Sequence, residues 1–213
     1  ALCWGPTTWR AIPGVIEAEN YDKGGNRFSF YDKDAANKGE TYREDAVDVV
    51  TLDGATCGDE ACKGYAVGYT EAGEWLEYSV KVATSGKYAI RANVATASET
   101  SKIQLFVDGE AIGDTVTFEK VDTTWNVYKE VDVGVANLTA GEHILKLAIA
   151  GSYVNVDWLK FCEGEACEAP TGIREIMPAS VTKTSVPRLR KQGGQLFVER
   201  NGMRFDLTGH RIK

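Results

Sequence analysis

Histidine occurs only twice in the 213 residues. No apolar run approaches the ~18 residues that a membrane-spanning helix needs. Nor is a helical apolar period sustained anywhere along the chain. The scarcity of histidine argues against Cys/His zinc sites, which add ligands beside a C-x2-C pair. A G-x-S-x-G nucleophile elbow is missing too, and His143, in AGEHILKL, reads as a strand-edge residue rather than a catalytic base. Two carboxylates set ~5–9 Å apart across a cleft, as glycoside hydrolysis requires, are not suggested by any spacing. No dense Lys/Arg run is present, which disfavours a nucleic-acid arm. The first residues show no signal-peptide pattern, as expected of a mature form or a fragment.

What is present is glycine (22), tryptophan plus tyrosine (5 and 9), and a divided charge. Residues 171–213 hold nine Lys/Arg against three Asp/Glu, whereas 1–170 hold fifteen against twenty-eight. An acidic body repels nucleic acid and anionic membranes. Cysteines stand at 3, 57, 62, 162 and 167. CGDEAC and CEGEAC share the spacing C-x4-C, and local disulfides closing two small loops are expected. These imply an oxidising setting, hence a secreted or cell-surface protein. Cys3 is left over, to pair outside this segment or in another connectivity.

From Val15 to Phe161 the chain is a series of short alternating segments separated by Gly, Asn and Asp turns. VIEAENY, EWLEYSVKV, KYAIRANVA, SKIQLFVDG, NVYKEVDVGV, EHILKLAIAG and YVNVDWLKF all read as strands. So many short strands predict an all-β fold, a jelly-roll β-sandwich. Two long loops, 24–45 and 51–64, interrupt the rhythm. Residues 1–14 are expected to be a lead-in or the remnant of an upstream linker, 15–163 the sandwich and 164–187 a linker. Residues 188–213 are expected to be a small basic unit, with Asn201–Gly202 turning a hairpin.

Four places invite chemistry. Glu17 and Glu19 are expected on one face of the first strand, either as a solvated face or as part of a hard-cation site. In YVNVDWLKF, strand alternation places Val154, Val156 and Trp158 on one side and Asn155 and Asp157 on the other. Asp157 then supplies a third carboxylate if the first and last strands adjoin. Tyr65 or Tyr69 is either a core aromatic or, for Tyr69 beside its glycine, a loop-rim residue. Trp125 sits in the polar stretch DTTWNVY, with Tyr128 in the strand that follows. Two facing rim aromatics can sandwich a pyranose ring, and the Asn155 amide can both donate to and accept from sugar hydroxyls.

IEAENYD, YREDAVDV, GYAVGYTEAGEWLEYSVKV, TAGEHILKLAI and NVDWLKF, in that order, resemble family 6 carbohydrate-binding modules over residues ~15–162. The resemblance implies a jelly roll with a structural calcium and a sugar site in the loops at one end. It places the stacking aromatics on Tyr69 and Trp125 and the orienting amide on Asn155. Glu17, Glu19 and Asp157 fall on calcium ligands, with further ligands from backbone carbonyls in the 30s, and Trp75 and Trp158 fall in the core. Two positions depart from the family pattern. Ala66 stands where many members carry Asn, and Val50 where many carry a Glu that helps select the terminal sugar. The CGDEAC insertion is expected to remodel a loop beside the site. LFVERNGMRFDLTGHRIK resembles the C-terminal sorting domains of type IX-like secretion.

The implied function is non-catalytic binding of plant cell wall polysaccharide by a monomer that targets an attached hydrolase or esterase. Xylan is the first ligand, with β-glucan or cello-oligosaccharide second. The competing readings are a glycoside hydrolase in its own right and an adhesion sandwich without a sugar site.

Overall fold

The computed structural model describes residues 8–167, and beyond them only the backbone of 188–192, 195–200, 203–205 and 211–212. The chain divides into two compact units, 1–169 and 170–213.

The first unit is two sheets face to face. Alternating segments such as WLEYSVKV put every second side chain inward, which is why they pair as strands with one buried face. In the first sheet β8 (Trp75–Val82), β13 (Gly141–Gly151), β10 (Lys102–Val107) and β11 (Glu110–Thr117) run antiparallel in that spatial order. The β10–β11 hairpin turns at Asp108–Gly109, both at positive φ (52° and 88°), as two-residue hairpin loops require. β8 also takes β3 (Phe30–Tyr31) antiparallel and β1 (Arg10–Ile12) parallel. The sandwich therefore begins upstream of Val15, and residues 10–12 are structural rather than lead-in.

The second sheet orders β4 (Val49–Thr51), β7 (Tyr65–Val67), β14 (Asn155–Glu163), β9 (Gly86–Ala95) and β12 (Val127–Leu138). It continues into β5 (Thr56–Cys57) and β6 (Glu60–Ala61), while β2 (Gly14–Glu17) pairs with β14. Ile12, Tyr78, Val80, Leu145 and Leu147 of the first sheet face Ile16, Tyr88, Ile90, Val94, Val156 and Leu159 of the second. Each such buried side chain contributes about 1.5–3 kcal/mol of transfer free energy.

Four expectations change. β2 ends at Glu17 and the chain turns through a short 3-10 segment, Ala18–Asn20. Glu17 and Glu19 therefore do not share a strand face: Glu17 is exposed and Glu19 buried. On β14 the pairing with β9 shifts between Val156 and Trp158, so Asp157 is the extra residue of a bulge. The bulge resets the alternation. Val154 and Val156 point into the core, then Leu159 and Phe161 do, and Trp158 falls on the opposite face, half-buried. Trp75 is not a core residue either; it is half-buried beneath Lys146, whose Nζ lies 4.2 Å from its ring centroid. Finally, 51–64 is not a bare loop, because β5 and β6 form a small hairpin within it, joined by the Cys57–Cys62 disulfide.

In the second unit, β15 (Arg188–Gln192), β16 (Gln195–Arg200), β17 (Met203–Phe205) and β18 (Arg211–Ile212) form one antiparallel sheet. Arg200 pairs with Met203, so β16 and β17 are the central pair of a four-stranded meander. The 164–187 linker beyond Cys167 and the sorting-signal resemblance lie outside the described residues.

Candidate ligand-binding site

A cavity of about 440 Å³ opens where β4 and β7 end and β12 and β14 begin. It lies in the loops at one end of the second sheet. Its rim carries three exposed rings: Tyr69 (54% exposed), Trp125 (39%) and Tyr153 (56%). The Trp125 and Tyr153 centroids are 6.5 Å apart at 59°. Asn155 lies deeper, 9% exposed, with its Nδ2 3.5 Å from the Trp125 carbonyl oxygen. Tyr69, Trp125 and Asn155 are thus brought together around one cavity. Tyr65 is the other tyrosine of that segment, half-buried and packed on Tyr42 at 4.5 Å.

The rim is held by backbone, not by chance contacts. Tyr69 and Tyr153 both sit at positive φ, 48° and 71°, a conformation uncommon outside glycine. Tyr153 N–H donates to the Thr70 carbonyl at 2.8 Å, and the Thr70 hydroxyl both donates to the Val154 carbonyl (2.7 Å) and accepts its N–H (3.0 Å). The hydroxyls of Thr96 and Ser101 donate to the Tyr153 carbonyl. These bonds satisfy buried polar groups and present the rings on a fixed frame. Before Trp125, the Asp122 carboxylate accepts N–H bonds from Thr123 and Thr124 and shapes the loop.

The wall below is apolar: Val50, Leu52, Ala55 and the ring of Tyr128. The polar lining is Thr51, Asn126 and Asn155, with no charged residue among the described residues. Behind that wall, Leu52, Ala55, Cys62, Ala66, Ala95 and Tyr128 form a second apolar cluster. The Cys57–Cys62 loop therefore backs the cavity. Tyr153, Leu52 and Ala55 went unnoticed in the sequence, where Gly151-Ser152 before Tyr153 was the available turn signal.

The acidic residues are elsewhere on the same strand system. Glu19 is 5% exposed and its Oε2 has no hydrogen-bond partner among the described residues. Burial above all, then the charges of Glu17 and Asp157, push its carboxyl up to about 7. Asp157 is raised to about 6 by burial, against a 2.8 Å hydrogen bond from Asn93 Nδ2, and further by Glu17. Desolvation raises Glu17 as well. The three carboxylates thus feel one another. Among the described residues, though, no three His, Cys, Asp or Glu side chains stand close enough to hold an ion by themselves; further oxygens would have to come from the backbone. Beside Glu19, Arg43 Nη1 donates to the Glu19 carbonyl (3.5 Å) and the Tyr21 carbonyl (2.7 Å), and the Tyr42 hydroxyl donates to Asn20 Oδ1 (2.5 Å). Residues of the 30s meet a separate acidic group, Lys33 N–H donating to Glu74 Oε1 at 3.2 Å and Lys38 N–H to Asp48.

The family model described as carbohydrate binding module (family 6) matches residues 38–163. The chain belongs to this family. The match starts later than the sequence resemblance at residue ~15, although β2 is built into the same sheet. Family 6 is a family of non-catalytic binding modules, so by kinship the chain is a carbohydrate-binding module. Solved structures of family 6 modules share the fold. CsCBM6-3 from Clostridium stercorarium, in complex with cellobiose, is 24% identical over 74% of this chain and 99% of that one, with a TM-score of 0.54. The C-terminal CBM6 of LamC, a laminarinase of Zobellia galactanivorans, is 21% identical over 70% and 98%, with a TM-score of 0.52. A Clostridium cellulolyticum family 6 module in complex with xylose is 23% identical over 72% and 100%, with a TM-score of 0.50. A search of curated protein sequences finds no match.

Proposed function

We propose that this family 6 module binds neutral plant cell wall polysaccharide, xylan or xylo-oligosaccharide first and β-glucan or cello-oligosaccharide second. In this reading it is secreted or cell-surface and directs an attached hydrolase or esterase to its substrate. The observation that carries the reading is the uncharged cavity with three exposed rings at its rim and one amide at depth. Tyr69 and Trp125 offer π-faces to the axial C–H groups of a pyranose, and Asn155 fixes its orientation. Sugars are well hydrated and the site is open, so micromolar to millimolar affinity is the expected order. Multivalency with an attached enzyme raises the avidity.

Calcium is the cation these oxygen donors would suit, with backbone carbonyls completing a site that Glu17, Glu19 and Asp157 do not close by themselves. The fit rests on the partnerless, buried Glu19 oxygen and on the mutual repulsion of the three carboxylates. Hard oxygen donors of this kind suit calcium, and backbone carbonyls complete such sites. The ion would neutralise repulsion and tie the start of the sandwich to β14; it would take no part in sugar contact.

Calorimetric titration with xylohexaose and cellohexaose, wild type beside Trp125→Ala, tests the reading. Binding lost in the variant supports it. No heat with either sugar in the wild type, or undiminished binding in Trp125→Ala, refutes the loop site.

A further inference from the structure

We infer that the cavity recognises a sugar carrying a methyl group, such as an acetyl ester or a 6-deoxy carbon, through Val50. This deepens the proposed sugar-binding function and rests on it. The geometry turns on Gly68. A Cβ placed there would lie 3.1 Å from Val50 Cγ1, 3.3 Å from Cγ2 and 3.2 Å from Asn155 Oδ1. The bare glycine thus lets a pair of methyls and an amide approach the same point from two sides. Val49 is buried in the core, so alternation turns Val50 out of it and onto the cavity wall, where it is half-buried.

Leu52 and Ala55 continue that wall. A hydroxyl set against it would lose water without gaining a partner, which is costly. A methyl set there removes apolar area from water on both sides and is favoured. The amide of Asn155 stands beside it to bond the neighbouring carbonyl or hydroxyl of the ligand. The shared chemistry is therefore a projecting methyl with a hydrogen-bonding oxygen next to it. Acetyl groups on xylose residues and the C6 methyl of 6-deoxyhexoses both supply it. The charge-free lining gives no partner to a uronic acid.

The test uses two matched pairs in calorimetry with the full chain. One pair is xylotriose and mono-O-acetyl xylotriose. The other is methyl β-glucoside and its 6-deoxy analogue. In the first pair the acetyl methyl adds a buried carbon worth roughly 0.8 kcal/mol, so the acetylated sugar is expected to bind about fourfold tighter. In the second pair no carbon is added, and the 6-deoxy sugar is expected to bind tighter because its C6 methyl replaces a hydroxyl that would lose water against the wall. Preference in the first pair alone assigns the ester, and in the second alone the deoxy sugar. In Val50→Thr, which keeps the shape but turns a methyl into a hydroxyl, the ratio within a pair should collapse toward one. An unchanged melting temperature confirms that this variant is folded. Equal or weaker binding of the methyl-bearing sugar in both pairs overturns the inference while leaving sugar binding intact. So does a preference that survives Val50→Thr. Silence with all four sugars and with xylohexaose overturns the parent reading as well.

Discussion

The two disulfides have the same spacing and different surroundings. Cys57–Cys62 and Cys162–Cys167 each close a loop with a sequence separation of five. In the chain-entropy model, loops of equal length contribute equally, about 2 kcal/mol here. Any difference between them must therefore come from what they touch. Cys62 is 8% exposed and packs with Leu52, Ala55 and Tyr128 behind the cavity. Cys57 Sγ lies 3.3 Å from Asn93 Nδ2 and 4.0 Å from Asp157 Oδ2. The second disulfide ties the end of β14 to the outgoing chain, with Cys167 Sγ 3.6 Å from the Ala89 carbonyl and exposed glutamates around it. The first staple thus joins the sugar cavity to the acidic group; the second secures an end.

The largest expected effect breaks the first junction through the cation. If calcium sits at Glu17, Glu19 and Asp157, excess chelator removes stabilisation of about 3 kcal/mol at a hundredfold excess over Kd. For a chain of this size that is a fall in melting temperature of roughly 6–12 °C. It should also speed reduction of Cys57–Cys62 and leave Cys162–Cys167 unaffected. A melting temperature indifferent to chelator removes the metal from the account. Next in size is Cys57→Ser/Cys62→Ser set against Cys162→Ser/Cys167→Ser. Both double variants should lose about 4–8 °C. Only the first should weaken xylohexaose binding, because only it supports Leu52 and Ala55. Equal affinity in the two variants would mean that the cavity wall stands without its staple.

The all-β sandwich was legible because alternation in segments such as WLEYSVKV is a direct consequence of pleated geometry. Tyr69, Trp125 and Asn155 were legible through motif order, and the structure gathers them around one cavity. What stayed hidden depends on single-residue shifts. Alternation carried through YVNVDWLKF puts Trp158 in the core, but the extra residue at Asp157 reverses the phase, and a bulge has no composition of its own to betray it. Glu19 reads as strand in VIEAENY, yet the chain turns there and buries it. Tyr153 reads as the first residue of a strand, and only its positive φ, fixed by Thr70, Thr96 and Ser101, makes it a rim residue.

The smallest expected effect supplies the baseline for comparing the two staples. Asp32 is 6% exposed, and its carboxyl is pushed up to about 7, by burial first and then by Glu74, Asp48 and Asp34, against the Asp34 N–H bond at 2.7 Å. Asp48 and Glu74 are raised too, burial leading in each. A carboxyl whose folded pKa exceeds its unfolded value binds its proton more tightly in the native state. Its contribution is full below the unfolded pKa near 4 and is lost as pH rises through about 7. Asp108, Asp122 and Glu165 are shifted downward, the opposite direction. With calcium in excess to hold the other acidic group fixed, the melting temperature should therefore rise from pH 8 to pH 5. Asp32→Asn should flatten that rise chiefly by stabilising the protein at pH 8. Among the described residues no hydrogen bond links either cystine to Asp32, Asp48 or Glu74, so both cysteine double variants should keep the wild-type slope. A slope altered in one of them would show that its staple also sets the packing around Asp32, and its loss of sugar affinity could no longer be assigned to the cavity wall alone.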